Sequence, residues 1–503
     1  NLNVIDKKKQ IANLGREKMR LKLGQLLSRR DFMNTAISTT ALMALPKMAT
    51  AGGHNAVNQK IIEAAKSAGT ADLKGIIWAL YYAPMKASCE KFAAETGTNF
   101  KDIKDISIFV APPAVVAEGV AKSPEFDLFH INSNMIPTLA SIGMLEELDS
   151  YMDEVGFDYN AVGTFDTFMK YKGATYGMPT DGNVHTQFIH WATVEKNAAA
   201  YEDKFGKSPT WPGTWEEEIE WMKFFAPPSK ATADDYYGSM NLRNRANGAT
   251  WWFMQLYSAG GFTFDDDMNP TMDTDEAVYA WETYMKYKDV SHPEAPGWGT
   301  PQMIPRMTGG KVFSGQYWDG IVALNENPEK SKTVGQWKYG LVPGSDFSGK
   351  RIYRSISDPL GALLVNKHSP RKALAAYLAM WLTTEQESEA IVADPANTLH
   401  DPWAKSHMTS DMVAKTYTKG GLEGIQQCLQ VAAPPIYLTG YMEFTDILNK
   451  NLSEAYVGSI SVSEGIKKTQ EEFAGIVKKT GKRKLKAELE SYKMVMPKVD
   501  APA

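Results

Sequence analysis

A chain of 503 residues exceeds what one hydrophobic core organises, and with 43% hydrophobic and 22% charged residues it has the balance of a globular protein built as two domains. No run of ~18 apolar residues is present to span a bilayer, and the two cysteines, Cys89 and Cys428, form no CxxC pair, which argues against a disulfide framework and against a cysteine-rich metal or iron–sulfur site. The formal net charge of −5 gives no basic footprint for nucleic acid.

The N-terminal region reads as an address. A basic stretch (Arg20, Lys22, Arg29, Arg30) precedes a short apolar run from Ala36 to Leu45, and Ala49, Thr50 and Ala51 close it as an A-x-A cleavage signature. Arg29 and Arg30 followed by Phe32 resemble the twin-arginine signal read by the Tat translocase. Residues 1–51 are therefore set aside as leader and signal peptide. They hold ten basic and three acidic residues, so the remainder carries 44 basic and 56 acidic, a net of about −12. The mature chain is expected in the periplasm, with neither nucleic acid nor anionic membrane as partner.

Leu73 to Pro84 is a continuous apolar run and reads as a buried strand, followed by a helix that Gly97 terminates. "ISIFVAPP" reads as a second strand with a helix over Val115 to Ala121, and "EFDLFHINSN" as a third with the helix "MIPTLASIGM" behind it. Alternation of this kind predicts a doubly wound α/β sheet whose ligand crevice lies beyond the carboxyl ends of its strands, at Tyr81, Tyr82, Asn132, Ser133 and Asn134. From Trp191 to Pro305 the chain is rich in helix and tryptophan. Trp215, Trp221 and Trp281 fall at core positions of amphipathic helices, whereas Trp298, in "PEAPGWGTPQ", sits in a loop and is expected to face a cleft. Gly309 to Gly320 reads as a strand, "RSISDPLGALLVN" as another interrupted at Asp358 and Pro359, and "SPRKALAAYLAMWLTTEQESEAI" as one long helix capped by Ser369.

The ordered series "GATYGMPTDGN", "TWEEEIEWMKFF", "WWFMQLYSAGGFTFDDD", "GGKVFSGQYWDG", "YGLVPG" and "GALLVNKHSPRKALAAYLAMWLTTEQ" resembles the family 1 extracellular solute-binding proteins of carbohydrate ABC importers, of which the maltodextrin-binding protein is the best-known relative. The resemblance spans about residues 72 to 490. It implies a two-lobed periplasmic binding protein fold, type II-like, with doubly wound sheets joined by a multi-crossing hinge that closes on a ligand and is recognised by membrane permease subunits. The implied segments are 55–182 and 318–384 for lobe 1, 188–310 and 385–490 for lobe 2, and a tail at 491–503. Chain crossings are placed near Asp181 to Gln187, near Phe313 to Tyr317 and after Thr384. The last residues, beyond Met496, read as disordered.

A sugar or polyol needs planar aromatics for its C–H faces and fixed amides or carboxylates for its hydroxyls. Carried across position by position, the resemblance assigns ligand contact to Tyr81, Tyr82, Asn132, Ser133, Asn134, Asp181, Asn183, Trp251, Trp252, Trp318, Asp319, Asp358, Tyr437 and Tyr441, to which the loop reading adds Trp298. Gly182 and His185 depart from the maltodextrin pattern at the first crossing. Arg243, Arg245 and Arg354 are the cationic candidates near the groove; they read as solvated, favouring a neutral ligand. "DDDMNPTMDTDE" approaches EF-hand spacing, but Pro270 replaces the required glycine, so an acidic turn capping the next helix through Thr274 is preferred. No HExxH, GxSxG, P-loop or GxGxxG motif occurs. No cofactor, metal or catalytic residue is therefore expected. The competing function is a Tat-exported enzyme, such as a glycosidase or a cofactor-bearing oxidoreductase.

Overall fold

The computed structural model describes residues 55–502 apart from 109, 164–165, 228–234, 359–360 and 395–399. The signal-peptide reading of residues 1–51 lies outside them. Nine strands define the architecture: β1 (Leu73–Ile76), β2 (Phe100–Lys104), β3 (Leu128–Asn132), β4 (Gly177–Pro179), β5 (His185–His190), β6 (Tyr237–Ser239), β7 (Val312–Trp318), β8 (Trp337–Gly340) and β9 (Gly361–Val365). They form two sheets, one per lobe, ordered β2-β1-β3-β9-β4 and β8-β5-β7-β6. In the first, β1, β2 and β3 run parallel and β9 enters antiparallel between β3 and β4. Both β3 and β9 are buried along their whole length, which is why they read as unbroken apolar runs rather than alternating ones.

The two YY residues correct the sequence reading. The first strand ends at Ile76, and a helix begins at Ala79 and runs to Thr96, with Pro84 inside it and Gly97 closing it at φ 77°. Tyr81 and Tyr82 therefore occupy the first helical turn. Consecutive helical residues diverge by about 100°, so only one of them can face the other lobe. The second strand is Phe100–Lys104 rather than "ISIFVAPP", whose Pro112 and Pro113 instead open the helix Pro112–Ala121.

Crossings also fall elsewhere than expected. The first is residues 180–184, between β4 and β5. β7 belongs wholly to the second sheet, and so does β8, so the expected crossing near Phe313 to Tyr317 is displaced to the segment before β9. There Ser355–Ile356 pairs with Ala432–Ala433, and Val184 bridges Ser357. The long helix breaks into Lys372–Leu382 and Glu385–Ala393, and its Ser369 accepts the Arg371 N–H and donates to the buried Asp127, which Arg371 also pairs with at 3.0 Å. The third crossing comes later than Thr384: Glu385–Ala393 still packs on the lobe 1 helix Ala79–Thr96, and the next long helix, Lys419–Gln430, packs on β8 and β5 of lobe 2.

Trp215, Trp221 and Trp281 are buried in lobe 2 as expected. Thr274 caps Asp275–Lys286, and the acidic turn before it folds on Asp265, which accepts from the N–H groups of Asp267 and Asn269. The basic C-terminal helix Lys482–Met494 docks on that turn through Lys486 to Asp267 and Lys493 to Asp266, at 2.7 and 2.6 Å. The tail beyond it is held rather than loose: Asp500 pairs with Arg354 at 3.0 Å and its carbonyl accepts the Tyr353 N–H. Cys89 and Cys428 are buried free thiols, each pushed up to about 12 by burial.

Candidate functional site

Two polar clusters meet where the crossings pass between the lobes. The first centres on Asp358, in the return segment. Its Oδ1 accepts from Tyr441 Oη at 2.9 Å, Asn134 Nδ2 at 3.2 Å and Asn132 Nδ2 at 3.4 Å, and its Oδ2 accepts from Thr250 Oγ1 at 3.3 Å. The amides come from lobe 1, where β3 ends in a 3-10 turn that the Asn132 side chain caps. Thr250 opens the lobe 2 helix Ala249–Ser258. Trp318, at the end of β7, donates its indole N–H to the Asp358 carbonyl, and the Asp358 N–H donates to Asn183 O at 3.3 Å. The Trp318 ring lies 6.1 Å from that of Trp251 at 81°, and His185 packs against both at 5.0 and 5.1 Å. Burial raises the Asp358 pKa against the pull of its four donors.

The second cluster gathers carboxylates from three separate segments. Asp181, in the first crossing, accepts from Tyr81 Oη at 2.7 Å, from the Asp401 N–H at 2.9 Å and from the Asn183 amide. Asp401 accepts from Tyr417 Oη at 2.9 Å. Asp319, which follows β7, is fully buried beside them. Burial raises the Asp181 and Asp319 pKa values well above the carboxylate range, the Asp401 charge adding to both, and burial raises that of Asp401 as well. His400 lies 2.7 Å from the carbonyl oxygens of both Thr180 and Tyr81, and His130 lies 2.7 Å from Thr180 Oγ1. Among the described residues, neither cluster contains a lysine or arginine ion pair.

Of the residues expected from sequence, Tyr81, Asn132, Asn134, Asp181, Asn183, Trp251, Trp318, Asp319, Asp358 and Tyr441 come together here, with Ser133 buried in the same turn. Four do not. Tyr82 points to the sheet edge, donating to Phe100 O and packing edge-on against its ring. Trp252 is core, against Phe253 and Trp281. Trp298 packs against His292 with the rings tilted and lies under the Arg306 guanidinium, at 4.1 and 4.3 Å. Tyr437 donates to the carbonyls of Phe168 and Lys170, a packing role. Of the cationic candidates, Arg243 is buried over Tyr284 and Tyr287 and Arg354 is largely buried against Asp500, whereas Arg245 is exposed as expected and pairs with Asp446 at the surface. Thr250, Asp401 and Tyr417 are participants that sequence reasoning missed; "HDPW" around Asp401 looks like any Asx-Pro turn.

A profile of bacterial extracellular solute-binding proteins matches residues 87–398, more than half of the chain. A probable amino-acid ABC transporter periplasmic-binding protein of Sinorhizobium fredii is 25% identical over 210 residues, 41% of this chain and 43% of that relative, so the match spans under half of the relative's length. Among solved structures, the maltose-bound MalE3 of T. maritima superposes with a TM-score of 0.68 at 16% identity, over 81% of this chain and 100% of that one. Solute-binding proteins of Agrobacterium radiobacter with ribitol and Agrobacterium vitis with D-mannitol give 0.65 and 0.66 at 18% and 17% identity, over 81% and 82% of this chain and 98% and 99% of theirs. At these identities the structural likeness establishes the two-lobed fold. By the extent of the profile match, the chain belongs to the bacterial extracellular solute-binding proteins.

Proposed function

We propose that the protein is the periplasmic receptor of an ABC importer, capturing a carbohydrate or polyol between its lobes and presenting it to membrane permease subunits, with no chemistry of its own. The observation that carries this reading is the Asp358 cluster. There, lobe 1 amides and a lobe 2 hydroxyl converge on one carboxylate while the lobe 2 indole of Trp318 donates to the same residue's backbone carbonyl, beside two tryptophan faces. Such a set supplies acceptors and donors in the plane of a sugar's hydroxyls and apolar faces for its C–H surface. Maltose, ribitol and D-mannitol, the ligands of the structural neighbours, support the same solute class.

The test is a titration of the mature protein with D-mannitol, ribitol, maltose and, as controls, amino acids, followed by tryptophan fluorescence and thermal melting. A saturable signal without product is expected from a sugar or polyol, with a stabilisation of about 2.7 kcal/mol at a hundredfold excess over Kd. Response to amino acids alone, or turnover of any sugar, would replace this reading.

A further inference from the structure

We propose that His185 reads a hydroxyl of the bound solute, its Nε2 accepting the solute's O–H; this rests on the carbohydrate or polyol reading above. His185 opens β5 directly after the first crossing and is fully buried. Its Nδ1 lies 3.2 Å from the Ile356 carbonyl, and a carbonyl oxygen only accepts, so Nδ1 carries the proton. The ring is neutral, its pKa pulled down to about 3 by burial. Nε2 is therefore an unprotonated acceptor, and it has no hydrogen-bond partner among the described residues. Native interiors seldom leave a buried acceptor unpaired, because desolvation is not repaid.

What surrounds that lone pair identifies the partner it lacks. The ring sits between Trp251 and Trp318, the same two indoles that flank Asp358. The acids gathered around these crossings are Asp181, Asp319, Asp358 and Asp401, and the buried Arg243 guanidinium lies 5.9 Å from the Trp251 ring centroid. A phosphate or carboxylate brought to Nε2 would set its lone pairs against that of the ring and its charge among these acids, whereas a hydroxyl donates to Nε2. His400 is not equivalent, since both its ring nitrogens already face carbonyl oxygens.

The experiment compares the wild-type protein with His185→Phe, which keeps a ring between the indoles, and His185→Asn, whose side-chain amide can still donate to the Ile356 carbonyl. Each is titrated with D-mannitol, ribitol and maltose, with monodeoxy analogues of whichever binds, and with sugar phosphates, folding being checked by thermal melting. The wild-type protein should bind one monodeoxy analogue roughly ten-fold more weakly than the parent solute, and sugar phosphates more weakly still. Both variants should bind the parent roughly ten-fold more weakly and no longer distinguish that analogue. Uniform weakening across parent and analogues, unchanged affinity in the variants, or a sugar phosphate bound as tightly as its parent sugar would overturn the assignment and leave the receptor reading intact. Wild-type binding to no sugar or polyol would remove the receptor reading itself. If both substitutions disturb folding, the wild-type series still overturns the assignment where every monodeoxy analogue binds as tightly as the parent or a sugar phosphate binds as tightly as its sugar.

Discussion

Asp358 gathers four side-chain donors from both lobes on one buried carboxylate. Removing it by Asp358→Ala takes this acceptor from Asn134, Thr250, Tyr441 and Asn132 in a buried setting, Asn132 keeping Tyr441 Oη at 3.4 Å. The expected cost is about 2–4 kcal/mol, read as a lowered urea midpoint, while Asp358→Asn, which retains one acceptor, should cost less than half of that. A loss below ~0.5 kcal/mol from the alanine change would show that these donors find other partners. At this scale the sequence was informative where residue type and position agreed: an Asx-rich strand end (Asn132, Asn134) and an Asp breaking an apolar strand (Asp358). It was uninformative where neighbours share a type but not a direction. In the pairs Tyr81/Tyr82 and Trp251/Trp252 one member enters the cluster and the other packs away from it, and only the helical phase separates them.

Among the elements, the first crossing is the most tightly specified. Gly182 has no room for a side chain, because a Cβ there would stand 2.3 Å from the Pro402 carbonyl oxygen, so two crossings touch backbone to backbone. Its N–H donates to Asp401 O, and its carbonyl accepts from Ser357 Oγ at 2.9 Å, which ties the three crossings together. Gly182→Ala is expected to destabilise by about 1–3 kcal/mol through the forced separation of these segments. It should also weaken solute binding, since the same segment carries Asp181 and Asn183; an unchanged melting temperature would show that the crossings can part without loss. Strand positions within lobe 1 were legible from apolar runs, but the split between β1 and its helix was not. "IIWALYY" is apolar throughout, and periodicity cannot tell a buried strand from the start of a buried helix. The assignment of the return crossing failed for a related reason: β7 ends in the polar pattern expected of a hinge yet lies fully within the second sheet.

For the whole molecule, the carboxylate group of Asp181, Asp319 and Asp401 links stability to protons. Their folded pKa values lie above the ordinary carboxylate value, so the folded state holds protons that the unfolded chain releases. The stabilisation is complete below about pH 4 and is lost as pH rises through the folded values. The buried neutral histidines His130, His185 and His407 act in the opposite sense, losing stability as pH falls below about 6.5. The acid contribution is therefore read above that pH, as the difference between the wild-type protein and Asp319→Asn. The variant should show a flatter melting profile from pH 6.5 to 9 and gain about 1–3 kcal/mol at the alkaline end. Parallel profiles would mean that these acids stay protonated throughout.

The two-lobed architecture followed from the order of motifs along the chain, but the place of β9 did not, because strand order within a sheet leaves no local trace in sequence. That place governs synthesis. β9 fills the gap between β3 and β4, yet it begins 229 residues after β3 ends. At a translation rate of roughly 5–20 residues per second, β3 and β4 emerge from the ribosome with their facing edges bare for roughly ten seconds to most of a minute. Lobe 1 therefore cannot mature as its own segment appears. Its closure waits until every strand of the second sheet has been made, and the nascent chain spends that interval needing protection of two apolar strand edges from each other and from neighbouring chains.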